Sequence, residues 1–315
     1  MAISDLEKKL KELEELAKSN SLDLSAAIES IQQKIDAERA SSSAWKKVEL
    51  ARHPNRPGAQ DYINLICDEW MELCGDRLFG EDPAIIGGIG RIGDRHITFI
   101  GNRKGKNLKE NIRCNHGCAH PEGYRKAQRL ALQAERFGRP IVTFIDTMGA
   151  YPGMGAEERG IGEAIAQNLK LFAGLKTPII CFVIGEGGSG GALGIGVGDK
   201  IYMLENAIYS VISPEGFASI LLRDSSKARD ASNMMRLTSQ DLLSFKILNG
   251  IIPEPQGGAQ LDPASVAVLI KSRILEDIDK LEKKNAQALV RFRRQKIRSI
   301  GHYTEARPSG VTEQA

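Results

Sequence analysis

The stretch Pro178-Ile-Ile-Cys-Phe-Val-Ile184, followed by Gly185-Glu186, the cluster Gly187-Gly188-Ser189-Gly190-Gly191 and the small-residue run Ala192-Leu-Gly-Ile-Gly-Val197, decides how this chain folds. It reads as a buried strand, a glycine turn and a tightly packed helix. Glycines let the main chain take positive φ and press against a neighbour or ligand. The N–H groups of the helix's first turn have no carbonyl one turn back, and they carry the positive end of the helix dipole. Such a place holds an anion or an oxygen developing negative charge, so the pattern predicts an oxyanion hole.

A second segment repeats the design upstream. Ile141-Val-Thr-Phe-Ile-Asp146 reads as a strand and runs into Gly149-Ala150-Tyr151-Pro152-Gly153, with a helix expected from near Ala156 through Glu157, Glu158 and Arg159. Two strand–loop–helix units with glycine-rich loops point to an acyl-group site. The plainer alternative is that the glycines serve only close packing of helix on strand.

The 315 residues suffice for one large domain with an appended arm, or for two small ones. Hydrophobic content of 42% and charged content of 26% are those of an ordinary globular protein. The net charge of +3 is small and its basic residues are dispersed, which does not suggest a specific nucleic-acid partner. No apolar run is long enough to span a bilayer and the N-terminus does not read as a signal peptide, so the expectation is a cytoplasmic protein without membrane contact. The five cysteines are then expected as thiols. Cys67 and Cys74 lie on what reads as one helical face and are expected in the core. Cys114, His116, Cys118 and His120 alternate, which would put them on one face of an extended segment. Their spacing matches no common zinc pattern, and no metal is expected in this chain.

Residues 1–44 read as a separate arm. Leu6, Leu10, Leu13 and Ala17 form one apolar stripe, and Leu24, Ile28, Ile31 and Ile35 another, with Ser19-Asn20-Ser21 between them. That is a helical hairpin, either a subunit-docking arm or a cap on the fold. His53-Pro-Asn-Arg-Pro-Gly58 reads as a linker, and Asp61 to Leu73 as a helix with Tyr62, Ile66, Trp70 and Leu73 on one side. Ala84 to Ile92 and His96 to Ile100 read as a hairpin around Gly93-Asp94. Gly88, Gly90 and Gly93 formally match a dinucleotide fingerprint, which fails because a strand follows where a helix is required. Arg125, Lys126 and Arg129 sit near the start of a helix over Pro121 to Phe137; the solvated-face reading is preferred to a phosphate site. Ser213 and Pro214 open a further helix as cap and first residue.

The motifs Pro121-Glu-Gly-Tyr-Arg-Lys-Ala127, Asp146-Thr-Met-Gly-Ala-Tyr-Pro-Gly153, Ala156-Glu-Glu-Arg-Gly160, Ile184-Gly-Glu-Gly-Gly-Ser-Gly-Gly-Ala192 and Tyr209-Ser-Val-Ile-Ser-Pro-Glu-Gly216, in that order, resemble the bacterial acetyl-CoA carboxylase carboxyltransferase alpha-subunit family. Ala51-Arg-His-Pro54, Gly75-Asp-Arg77 and Ile252-Pro-Glu-Pro-Gln-Gly-Gly258 extend the likeness over roughly residues 45–300. The resemblance implies an α/β fold of the crotonase type (ClpP/crotonase-like), a spiral of ββα units, with residues 45–300 as the carboxyltransferase domain and 301–315 as a flexible tail. It implies transfer of a carboxyl group from carboxybiotin, borne on a biotin carboxyl carrier protein, to acetyl-CoA, giving malonyl-CoA for fatty acid synthesis. ATP is used by a biotin carboxylase partner. A zinc-ribbon-bearing beta subunit completes the enzyme, with α2β2 expected.

Carried onto this sequence, the family's oxyanion hole for the biotin urea oxygen falls on the backbone of Gly190 and Gly191. Gly187, Gly188, Ser189 and Gly149 to Gly153 shape the substrate space. Such a site is expected to be poor in titratable groups, and Gly191→Pro is expected to delete the donor with much of the fold intact. The chain departs from the family at Cys114-Asn-His-Gly-Cys118, where arginine-asparagine-phenylalanine-glycine-methionine is usual, at Ile161 (usually glutamine) and at Leu222-Arg223 (usually tryptophan-lysine).

Two rivals remain open on the residues alone. Gly187-Gly-Ser-Gly-Gly191 satisfies the Gly-x-Ser-x-Gly elbow of serine hydrolases, with Ser189 as nucleophile. A hydrolase also needs a histidine and a carboxylate, and His53, His96, His116, His120 and His302 have no recognisable triad context. The other rival is a non-catalytic scaffold organised by the arm. In the carboxyltransferase reading, Ser189 caps the helix or fills a tight corner.

Overall fold

Residues 10–13, 24, 27–31 and 44–301 are described by the computed structural model. The expected hairpin arm of residues 1–44 lies mostly outside them, and the tail of residues 301–315 lies outside them but for its first residue. From residue 44 the elements are α1 (Ala44–Ala51), α2 (Ala59–Ile66), β1 (Glu69–Glu72), β2 (Ile85–Ile92), β3 (Arg95–Asn102), α3 (Leu108–Arg113), α4 (Pro121–Arg136), β4 (Ile141–Thr147), α5 (Met154–Glu158), α6 (Ile161–Gly174), β5 (Ile179–Gly188), α7 (Ser189–Leu193), β6 (Lys200–Leu204), β7 (Ile208–Ser210), α8 (Pro214–Phe217), α9 (Ala228–Met234), α10 (Ser239–Ser244), β8 (Gly250–Ile252), α11 (Pro263–Leu281) and α12 (Ala286–Arg298), with short single turns among them.

The strands make one 8-stranded sheet in the order β1-β2-β3-β4-β5-β6-β8, with β7 paired to β5. β1, β2 and β3 are antiparallel, and every pairing from β3 onward is parallel. Crossover helices cover the parallel part, so every residue of β4 is buried, and in β5 all but Gly188. One face carries an aromatic row across four neighbouring strands: Phe99, Phe144, Phe182 and Tyr202, with successive ring centroids 6.1, 5.9 and 5.5 Å apart. Tyr62 of α2 lies over its middle, 6.0 Å from Phe144.

The helix expected over Asp61 to Leu73 ends at Ile66, and Trp70 lies in β1 opposite Gly90. The glycines of β2 explain this. A Cβ at Gly88 would strike the Met71 carbonyl, and one at Gly90 would lie 2.5 Å from the Cys67 sulfur, so β1 can pair closely only over bare backbone. The helical spacing of Tyr62, Ile66, Trp70 and Leu73 is outweighed by this ladder. Cys74 is consequently exposed, whereas burial pushes the Cys67 thiol up to about 12. The hairpin turns at Gly93 with φ 58, and Ser213 caps α8 by accepting from the Gly216 N–H at 3.1 Å, both as expected.

Arg125, Lys126 and Arg129 do not form a solvated face. Lys126 is fully buried, paired with Glu81 and donating to the Asp82 carbonyl at 3.0 Å. Arg129 donates to the carbonyls of Gly75, Leu73 and Cys74, and Arg125 to that of Arg159. They tie down loops that have no ladder of their own. At the opposite end of the sheet, Arg293 fixes α12: its guanidinium bonds both Asp199 oxygens at 3.0 and 2.7 Å and the carbonyls of Phe172, Leu175 and Thr177.

Candidate functional site

β4 and β5 lie side by side and deliver their glycine loops to the same end of the sheet. The loops are pressed back to back. A Cβ at Gly188 would strike the Met148 carbonyl, and one at Gly191 would lie 2.5 Å from the Ala150 nitrogen and against the Gly149 carbonyl carbon. Only glycine permits that approach. α7 is held from below, where the Tyr124 hydroxyl donates to the Gly191 carbonyl at 3.2 Å and Asn168 donates to the carbonyls of Tyr124 and Gly194 at 3.0 Å each.

The sequence-predicted residues divide into four groups. Gly191, Gly149 and Ala150 meet directly. Gly187 and Gly188 border a small cavity of about 20 Å³ with Arg52, Met148, Glu186 and Ser210. Gly190 faces open space, its nearest neighbour to a Cβ being Ile165 at 3.8 Å. Tyr151 turns away from the cavities and stacks on His120 at 4.2 Å, while its N–H donates to the Ala119 carbonyl. Pro152 is exposed and Gly153 packs over the Tyr151 ring. The helix expected near Ala156 begins at Met154, so Gly153 is its cap.

Ser189 does not cap α7. It is the helix's first residue, with φ 51, after a Gly188 cap that makes no side-chain bond. Among the described residues its hydroxyl has no hydrogen-bond partner, so neither a histidine nor a carboxylate activates it as a hydrolase requires. The expectation for Gly191→Pro also needs correction: any ring carbon at this position runs into the 149–150 backbone, so proline would displace the loops as well as delete a donor.

Nor is the site poor in titratable groups. Pairing of β4 with β5 is regular to Ile145–Val183 and resumes at Thr147–Gly187, so Ile184, Gly185 and Glu186 bulge opposite Asp146 alone. Side chains satisfy the bulge where the ladder cannot. Arg56 Nε donates to the Ile184 carbonyl at 2.7 Å, and Asp146 Oδ1 accepts from the Glu186 N–H at 2.9 Å. The Asp146 carboxylate fills the space a Gly185 side chain would need. Lys104, on the loop after β3, bridges the two acids at 2.7 Å to Asp146 and 3.1 Å to Glu186. Arg52 binds the other Glu186 oxygen at 2.8 Å and reaches Glu215 at 2.7 Å.

The electrostatics follow from these distances. Burial pulls the Lys104 ammonium toward neutrality, but Asp146 and Glu186 more than offset it and hold its pKa above the ordinary lysine value. Burial pushes Glu186 up, while Lys104 and then Arg52 bring it below the usual carboxylate range. Arg56, buried, pairs with buried Glu254 at 2.7 Å, which keeps Glu254 low against the upward push of burial. Beside this network lies a cavity of about 260 Å³ whose walls include Arg52, His53, Lys104, His116, Asp146 and Glu186.

The Cys114 to His120 segment is not extended. Asn115, His116 and Gly117 all take positive φ (47, 53 and 82), so the alternation places nothing on one face. Cys114 and Cys118 are buried, with thiols pushed up chiefly by burial, and His116 is exposed at the larger cavity. A Cβ at Gly117 would lie 2.8 Å from the Asp146 carbonyl and 3.1 Å from Lys104 Cγ, so this turn closes over the bridge.

Sequence reasoning missed Arg52, Lys104 and Glu186. Its one available signal was charge beside glycine: Lys104 in Gly101-Asn-Arg-Lys-Gly-Lys106, and Glu186 between Gly185 and Gly187.

A ββα sheet with paired glycine loops is the architecture of the crotonase-like carboxyltransferases. Solved structures with this fold include the transcarboxylase 12S hexamer with methylmalonyl-coenzyme A and methylmalonic acid bound (TM-score 0.57, 17% identity, 81% of this chain and 45% of that one). Others are the geranyl-CoA carboxylase beta subunit of P. aeruginosa (0.56, 15%, 78% and 46%) and a Pseudomonas malonate decarboxylase hetero-tetramer in complex with coenzyme A (0.53, 16%, 62% and 80%). The chain thus spans less than half the length of the first two. Residues 1–301 match the family described as acetyl co-enzyme A carboxylase carboxyltransferase-like, and the chain belongs to that family. The acetyl-coenzyme A carboxylase carboxyl transferase subunit alpha of Treponema denticola is 61% identical over 305 residues, covering 97% of this chain and 100% of its own length. That of Carboxydothermus hydrogenoformans is 50% identical over 313 residues, covering 98% and 95%.

Proposed function

We propose that this chain is the alpha half of a carboxyltransferase that moves a carboxyl group from carboxybiotin to acetyl-CoA, forming malonyl-CoA. The observation that carries the reading is the contact of Gly191 with Gly149 and Ala150, which leaves two glycine loops with backbone donors at one end of the sheet. Carboxybiotin, delivered by its carrier protein, supplies the carboxyl group. Gly190 and Gly191 N–H groups bind the urea oxygen, and pre-aligned donors of this kind contribute about 2.7–4 kcal/mol each where one has been removed from other enzymes. Gly187, Gly188, Ser189 and the 149–153 loop bound the substrate space. The cavity beside Gly187 and Gly188, about 20 Å³, has room for one oxygen-sized group and not for a ring.

The same proposal includes a zinc-ribbon beta subunit in an α2β2 assembly, the carrier protein and an ATP-using biotin carboxylase, all in the cytoplasm, with residues 45–300 as the carboxyltransferase domain. Among the described residues no helix is long and apolar enough to cross a membrane.

The test is malonyl-CoA formation by the purified chain with and without its beta subunit and carboxylated carrier. The chain alone is expected to be inactive and the mixture active. Within the mixture, Gly191→Ala forces the two loops apart and should lose about 100-fold or more of turnover. Gly190→Ala keeps its N–H and adds a methyl that meets only Ile165 at 3.8 Å, so it should stay within about tenfold of wild type. Full transfer by the isolated chain, or wild-type turnover in Gly191→Ala, overturns the reading.

A further inference from the structure

We propose that Lys104 is a positioning residue for carboxyl transfer: its ammonium, shared between Asp146 and Glu186, closes the bulge of β5 and thereby sets the two glycine loops against each other. The inference rests on the oxyanion reading above and assigns a role to residues that reading does not use.

Three observations carry it. The acids Lys104 joins sit at the roots of the loops, Asp146 three residues before Gly149 and Glu186 immediately before Gly187. The ladder between β4 and β5 is interrupted there and resumes only at Thr147–Gly187, so across the break the two strands are tied by the Asp146–Glu186 N–H bond and the ammonium bridging both carboxylates at 2.7 and 3.1 Å. The bridge is also covered, because the left-handed turn at Gly117 packs on the Lys104 stem and the Asp146 carbonyl. Arg52 cannot replace it: its guanidinium is committed to Glu186 and Glu215, and it makes no bond to Asp146.

Electrostatics give the consequence of removal. Two carboxylates bound to one nitrogen lie close together, and like charges at such separation repel strongly in a poorly solvated site. Without the ammonium, Glu186 is driven from Asp146, the 2.9 Å bond from its N–H opens and Gly187 moves with it. Lys104 thus acts through the main chain and does not touch the reacting atoms. The charged and titratable groups around Glu186 are Lys104, Arg52 and Asp146, with Glu215 beyond Arg52, the Cys118 thiol nearby and His53, Arg56, Lys106 and His116 on the walls of the larger cavity.

The experiment is a double-mutant cycle on the full chain reconstituted with its beta subunit, following malonyl-CoA formation. Lys104→Met should lower kcat at least about tenfold while KM for acetyl-CoA stays within about threefold. Lys104→Met/Glu186→Gln, which removes the repulsion with the cation, should be at least about threefold faster than Lys104→Met. The single variant should also gain activity as pH falls toward 5, since a proton on Glu186 does what the glutamine does; a lysine needed only for stability gives no such acid rescue. If Lys104→Met does not assemble, Lys104→Gln, which keeps a donor without charge, is read against the same limits. A kcat loss below tenfold, or a double variant no faster than the single, overturns the proposal. Gly191→Ala run beside them separates the two failures. Loss there with Lys104→Met fully active removes only the brace, whereas wild-type turnover there removes the oxyanion reading itself.

Discussion

Two buried ion networks lie at opposite ends of the central strands and are built differently. At the start of β5, Arg293 and Asp199 are sealed in: the side chains are 0% and 4% exposed, and each guanidinium nitrogen bonds an oxygen. At the far end, Lys104 is 23% exposed beside a cavity of about 260 Å³ and divides one charge between two acids. Saturation fixes a helix on a sheet. Sharing, at a break in the ladder, leaves a geometry that a single charge can alter, and it stands directly behind the loops proposed to do the chemistry. Both ends bury charge, and this one adds incomplete backbone pairing and open space.

Arg293→Met should break the comparison at its structural end with the largest effect on stability. It strands Asp199 and takes donors from three carbonyls, and removing one partner of a buried pair costs about 3–5 kcal/mol. The urea unfolding midpoint should fall accordingly, while turnover per assembled complex at low temperature stays at the wild-type level. A destabilisation below about 1 kcal/mol, or a catalytic defect in the folded complex, would erase the distinction between the two ends.

Acid should act at the other end, with a smaller effect. Glu186 is held below the ordinary carboxylate range despite its burial, by Lys104 and then Arg52. A carboxylate with a depressed folded pKa contributes stability that is complete above its unfolded value of about 4.3 and is lost as pH falls through the folded value. The wild-type chain should therefore lose stability below about pH 4.5 more steeply than Glu186→Gln, which has one fewer proton to take up. Equal slopes in urea melts between pH 6 and 3 would mean that Glu186 is not stabilised by its cations.

The sheet was largely legible because its signals are local. The apolar run of β4, the Gly93 turn and the Ser213-Pro214 helix start each depend on neighbours in sequence. Both glycine loops were found for the same reason. The failures came where distant backbone decided the outcome. Trp70 left its helical pattern because Gly88 and Gly90, some twenty residues on, offered a bare ladder. Lys104 and Arg52 meet Glu186 across 82 and 134 residues of sequence, and no spacing rule links residues so far apart. Asp146 was read as the end of a strand and lies one residue before the end of β4, but its role at the bulge depends on a register shift visible only once β4 and β5 are paired.

Ser189 gives the last and smallest test, because it belongs to neither network. It has a left-handed backbone at φ 51 and a hydroxyl without a partner among the described residues. Alanine in that conformation is disfavoured for the same steric reason as serine, so Ser189→Ala changes backbone strain little and removes no bond. If the backbone performs the chemistry, the variant reconstituted with its beta subunit should keep carboxyl transfer within about tenfold, equivalent to about 1.4 kcal/mol in the barrier. A nucleophile behaves otherwise: its removal takes away nearly all catalysis, and the intact residue is labelled by serine-directed phosphonates. Neither the wild type nor the variant should be labelled. A stoichiometric phosphonate adduct on Ser189 would move the chemistry from the main chain to a side chain, and the contrast between a sealed end and a working end would have to be redrawn around that hydroxyl.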